Sequence, residues 1–269
     1  ILPDRGGQHP GSGFAKWVAS TRDSLTKTLA MEERFEWMLQ GSKDKPASTL
    51  LRTFARRIFR QADKARLETV RHQEAFLESA KVIYGRDAES IVEDLLRPQD
   101  RYAEFSSSGL AALSKSQVMQ QVATLQQQQY YESFLGSDND VRRARAEKLP
   151  AMLGSLSDQD LEMLDWFRQF YADQREELSA VNLRVTGLPV LSPDALYMPV
   201  KMRAKGGLGE THIVVPIVPP SLTPRIPSTL DLDESAGIVD MFQNRAQSNA
   251  QYKHLAELHV EIRGVFADG

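Results

Sequence analysis

Basic side chains supply the clearest chemical pattern in the sequence. In the stretch LLRTFARRIFRQADKARLETVR, residues 52–71 hold seven basic and two acidic groups. Arg52, Arg56, Arg60 and Lys64 recur every four residues, with Arg57 beside them, so a helix carries the four on one slowly rotating face. Such a face can track phosphates, with an affinity that falls steeply with salt. It can equally lie on anionic lipid, because Leu51, Phe54, Ile58 and Phe59 form an apolar stripe on the other side. The plain alternative is a solvated surface whose stripe packs on neighbouring helices. Arg142, Arg143 and Arg145, followed by Lys148, make a second basic patch with the same readings. These arginines and Lys64 are the candidate nucleic-acid or anion-binding residues.

Other reactive types give no site. The chain has no cysteine, which removes disulfides, thiolate ligands and thiol nucleophiles. His254 and His259 enclose Glu257, but a five-residue separation puts them about 140° apart on a helix, whereas zinc needs ligands at i and i+4. Asp231, Asp233 and Glu234 suit the first turn of a helix, where carboxylates complement the helix dipole. Gly206, Gly207 and Gly209 lack the Lys-Ser/Thr pair of a phosphate loop and read as a turn. There is no Gly-x-Ser-x-Gly elbow. No catalytic residue, metal ligand or cofactor is assigned.

The elements that would position these groups are mostly helices. Residues 1–13, with four glycines and two prolines, read as a flexible arm. Helices are predicted from Phe14 to Gln40, Ala47 to Tyr84, Asp87 to Leu96, Ser116 to Leu135 and Asn139 to Leu149. The Gln126–Gln129 run is read as a polar helix face. The best helix follows. Ser157 and Asp160 form a capping-box pattern, and Leu161, Leu164, Phe167, Tyr171, Leu178 and Val181 make its stripe, with Trp166 expected in the core. Thr186-Gly187-Leu188-Pro189 stops it. Eight of the 13 prolines then fall between Pro189 and Pro227, where 195–202 and 211–218 have the composition of a small β-hairpin. A last helix is predicted from about Leu232 to Ile262. The organisation is therefore an arm (1–13), a helical bundle (14–186), an extended proline-rich segment with a hairpin (187–230), and a C-terminal helix returning to the bundle (231–269). The fold class is mainly α, an irregular bundle of long helices.

At 269 residues, 41% hydrophobic and 26% charged, the chain can bury one large core or two modest ones. No apolar run approaches the ~20 residues of a membrane span. The net charge of −3 at pH 7 opposes long-range attraction to a polyanion. Ile1 stands where a methionine would, which suggests a fragment or processed product.

A long helix with an acidic start, a Gly-x-Pro ending and an extended Leu-Tyr-Met-Pro-Val leading to basic residues resembles segments of tailed-phage large polyvalent and virion-internal, DNA-co-ejected proteins. The residues that carry the resemblance are Gly187, Tyr197, Pro199 and Arg203, within Ser157 to Arg203; Met198 stands where the group usually has an aromatic. The resemblance implies a non-enzymatic structural or interaction module of a phage virion-associated protein, internal or ejected. Its partners would be other virion proteins or copies of itself in an oligomer, with DNA possible, in the virion or the host cytoplasm. Two other readings stay open: a nucleic-acid-binding helical module using the basic faces, and an accessory fragment of an enzyme whose catalytic residues lie outside this chain.

Overall fold

The computed structural model describes residues 46–106, 111–187 and 235–267, with side chains between Thr53 and Glu261. The arm expected over 1–13, the helix expected over 14–40 and the hairpin expected in the proline-rich segment lie outside the described residues.

Three long helices set the frame. Helix α1 runs over Pro46–Tyr84, α7 over Asp158–Thr186 and α8 over Ile238–Ala267. At 39, 29 and 30 residues they extend about 58, 44 and 45 Å. Gly85, at φ 66°, ends α1. Helix α7 starts on the Ser157–Asp160 capping box, each side chain bonded to the other's backbone N–H (3.2 and 2.9 Å), and ends on Gly187 at φ 71°.

The contacts between them fix direction and register. His72 meets Phe170, Phe76 meets Phe167, and Tyr84 meets Asp160, so α1 rises in number as α7 falls. Arg57 meets Glu261, Glu68 meets Lys253, and Phe76 meets Phe242, which makes α1 and α8 antiparallel too. Phe167 with Phe242, Glu177 with Lys253 and Arg184 with Glu257 make α7 and α8 parallel. One three-helix stem results.

Its proximal half is aromatic. Phe76, Trp166, Phe167, Phe170 and Phe242 pack with ring centroids 5.0–6.0 Å apart. Leu164 and Phe167 are buried; Trp166, 100° round the helix from Phe167, is only half-buried, stacked on Phe170. The distal half holds a smaller cluster of Leu178, Val181 and Tyr252, with the Tyr252 hydroxyl donating to Asn182 Oδ1 at 2.9 Å.

A cap of short elements sits on the proximal half. Helix α2 covers Ala88–Leu96, with Asp87 capping it, and is followed by the strand pair Pro98–Gln99 and Leu113–Ser114, joined antiparallel, with a 3-10 turn at Asp100–Phe105. Helix α3, Lys115–Leu125, is buried at every position except Gln117. Helices α4 (Gln128–Leu135), α5 (Asp140–Glu147) and α6 (Leu149–Gly154) complete the cap.

Three boundaries differ from the sequence reading. The expected helix over 116–135 is two helices, broken at Gln126-Gln127. The run is a joint, not a polar face: Gln127 is 1% exposed in extended backbone, and its side-chain amide turns back to donate to the Ala123 carbonyl at the end of α3. Pro150 opens α6 and does not follow a continuous helix to Leu149, since its missing N–H is tolerated in a first turn. The final helix begins at Ile238, not Leu232. Its start is set by Ser116 of α3, whose Oγ accepts from Val239 N at 3.1 Å. Gly237 is the residue that allows this approach, because a Cβ there would stand 2.3 Å from Ser116 Oγ.

Candidate functional site: the charged faces and polar ties of the stem

Between the aromatic and distal clusters the stem carries a layer of charge. Glu68, on α1, is one of only two acids in the basic stretch of residues 52–71. Its carboxylate turns inward and accepts from Lys253 Nζ at 2.9 Å and from the His254 ring on α8. Lys253 also donates to Glu177 of α7 at 2.6 Å, so one ammonium ties all three helices. Burial disfavours the Glu68 charge, but Lys253 and His254 outweigh it and hold the carboxyl below its ordinary range. Burial also opposes the charge on Lys253, while Glu177 and Glu68 raise its pKa. His72 is pushed down, chiefly by burial and against Glu68, whose Oε1 lies 3.4 Å away without hydrogen-bond geometry. Its ring meets Phe170 edge-on at 5.1 Å.

A second polar knot joins the stem to the cap. Asp160, 2% exposed, caps α7 and also accepts from the Tyr84 hydroxyl at 2.8 Å, while Lys115 Nζ lies 3.2 Å from the same oxygen. Lys115 also donates to Asp94 Oδ2 at 2.9 Å, and Arg86 donates to the same oxygen at 2.9 Å. Burial works against the Lys115 charge, and the two aspartates raise its pKa above the usual lysine value; Lys115 and Arg86 lower that of Asp94 against burial. Burial and Asp160 together carry the Tyr84 phenol upward. The Tyr102 hydroxyl is buried with no hydrogen-bond partner among the described residues. Groups with such shifted pKa values occur in active sites and in structural ion networks alike. Here each charge is matched to a charge on another helix.

The candidate basic residues divide. Arg56, Arg60 and Lys64 are exposed on the outward face of α1, as the four-residue spacing requires; the side chain of Arg52 lies outside the described ones. Arg57 is engaged, its guanidinium bidentate on Glu261 at 2.6 and 2.9 Å. The second patch is not an exposed cluster. Arg142 and Arg145 are buried, at 6% and 5% exposure, and the Arg142 guanidinium lies over the Phe134 ring at 4.5 Å. Asn139 caps α5 through the N–H groups of Val141 and Arg142, and Arg142 and Arg145, three residues apart, share the buried face of that helix with Ala146. Arg143 stays outside, paired with Asp140, while Lys148 donates to the Glu104 carbonyl. The patches also sit on different parts of the frame: α1 in the stem, α5 in the cap.

Sequence reading passed over Lys115, Asp94, Glu68 and Glu177. Lys115 carried a signal, because a lysine in the first turn of a helix opposes the dipole and calls for a carboxylate partner. Glu68 stood out as an acid among seven bases. Neither signal names the partner. No family model, curated protein or solved structure matches the chain.

Proposed function

We propose that the chain is a non-enzymatic structural and interaction module. Its working part is the three-helix stem, which holds contact surfaces at a fixed spacing inside a larger assembly. The assembly is a phage virion-associated protein, internal or ejected with DNA, as the resemblance of Ser157–Arg203 implies. The observation that supports this reading is the single register kept along the stem. Ties at Arg57–Glu261, Glu68–Lys253, Phe76–Phe242 and Tyr84–Asp160 run the described length of α1 without a slip. Buried charges matched across helices contribute little net stability but penalise every other register, since a slip strands each one unpaired.

The absence of cysteine makes a direct test available. Val82 and Leu183 are 82% and 51% exposed, near opposite ends of the stem. Spin labels at Val82→Cys and Leu183→Cys should give one narrow distance distribution, on the order of 30–40 Å. A broad or bimodal distribution removes the rigid stem, and the proposal with it. Membership of a particle is a separate check: the chain should be recovered from purified phage particles, protected from added protease.

A further inference from the structure

Most charges of the stem that face another helix are paired across it, as Arg57, Lys253 and Arg184 are. Two outward faces break that habit. On α1, Arg60, Lys64 and Arg71 are exposed, lie within an arc of about 40°, and meet no carboxylate among the described residues. The acids of that stretch are used elsewhere, Asp63 on Arg66 at 3.3 Å and Glu68 inside the stem. On α7, Asp158, Glu162, Asp173 and Glu176 are exposed within a similar arc and meet no cation among the described residues. Asp165, at the edge of that arc, is neutralised by Arg168 at 2.6 Å. One stem therefore carries a basic rail and an acidic rail on two different helices.

We propose that these rails are the two halves of a self-association surface, the basic rail of α1 in one copy docking on the acidic rail of α7 in the next. This rests on the reading of the chain as a structural module. Charge complementarity commits the occupant to a second copy of this chain, for the matching surface is already present on the molecule. Leu67, 53% exposed between Lys64 and Arg71, adds apolar area to the contact. The contact is heterologous, because the two faces differ, so it leaves one rail open at each end and propagates. The register also sets a stagger. From the pairings of His72 with Phe170 and Phe76 with Phe167, Arg60 to Arg71 lies level with the second half of α7. The acidic rail is centred about 10 residues nearer its start, so parallel copies dock offset by roughly 15 Å.

Sedimentation velocity of the whole chain tests this with two charge reversals. Wild type should associate at about 0.05 M salt and dissociate toward about 1 M, where screening shortens to roughly 3 Å. The double variant Arg60→Glu/Lys64→Glu should weaken association about tenfold or more, as should Glu162→Lys/Glu176→Lys. Mixed in equal amounts, the two variants should pair again, because each supplies the rail the other has lost. The proposal is overturned by a wild type that stays monomeric at low salt, or by variants that associate as wild type does. It is also overturned if the Arg60/Lys64 variant loses binding to a duplex DNA probe while its self-association is unchanged; nucleic acid is then the occupant of the basic rail. The spin-label distance measured in the same variants separates the two ideas. A narrow distance with no association ends only the rails, while a broad one ends the stem itself.

Discussion

His72, Glu68 and Lys253 make stability depend on pH in a direction each group sets. His72 is held below its ordinary 6.5, chiefly by burial. The unfolded chain therefore takes up a proton that the folded one refuses, and stability falls as pH drops through 6.5. Glu68 is also depressed, with Lys253 and His254 overcoming burial, so its contribution is present above its ordinary 4.5 and is lost as pH falls through the lower folded value. Lys253 is raised, so its contribution holds below 10.5 and is lost as pH climbs through the higher folded value. With Glu177 facing them from α7, these groups give a plateau between about 6.5 and 10.5 and a decline on either side. His72→Phe keeps an edge against Phe170 and removes the titration. Its melting temperature should fall less steeply than wild type's between pH 7 and about 5.5. Parallel slopes for the two proteins would show that His72 is not the group responsible.

Among the elements, those with a chemical stop at each end are legible in the sequence. Ser157, Asp160 and Gly187 bound α7 because caps act through the backbone within a few residues, and Asp87 and Gly85 do the same around α2 and α1. Elements begun or broken by a distant partner were not. The start of α8 depends on Ser116, 123 residues away, and the joint at Gln126-Gln127 on how α3 and α4 each meet the core. The candidate site divides in the same way. Spacing within one helix placed Arg60 and Lys64 outside, but could not tell that Arg142 and Arg145 lie inside or that Glu68 would meet α8. Gly237 is where the long-range dependence can be tested. A methyl added there meets Ser116 Oγ, Cβ and the backbone carbon at 2.3, 2.9 and 3.2 Å, so a rotamer change alone does not clear it. Gly237→Ala should cost about 1–3 kcal/mol in urea unfolding. Ser116→Gly in the same chain removes the two nearest atoms and should recover part of that loss. A double variant no more stable than Gly237→Ala alone would place the strain elsewhere.

Across the whole molecule, the parallel course of α7 and α8 obliges the chain to return from the distal end of the stem at Gly187 to its proximal end at Ser235. The two ends are not equally secured. The proximal half is wrapped by the cap, packed on five aromatic rings and tied by Tyr84 and Lys115 to Asp160. The distal half rests on Leu178, Val181 and Tyr252, the buried Phe59, Ala65 and Leu258, the Asn182 hydrogen bond, and the exposed pairs Arg57–Glu261 and Arg184–Glu257. Exposed ion pairs contribute about 0–1 kcal/mol each, so most of the distal stability comes from the small apolar cluster. Opening should therefore proceed from the distal end, with the charged layer at Glu68 as its boundary, as a local transition below global unfolding. Leu164→Ala, in the large core, should cost about 2–5 kcal/mol in global unfolding. Leu178→Ala should instead release the distal amides of α1, α7 and α8 in native-state hydrogen exchange, while those around Phe76, Phe167 and Phe242 keep their protection. Uniform loss of protection along all three helices in the Leu178 variant would mean that the stem opens as one unit and that the charged layer marks no boundary.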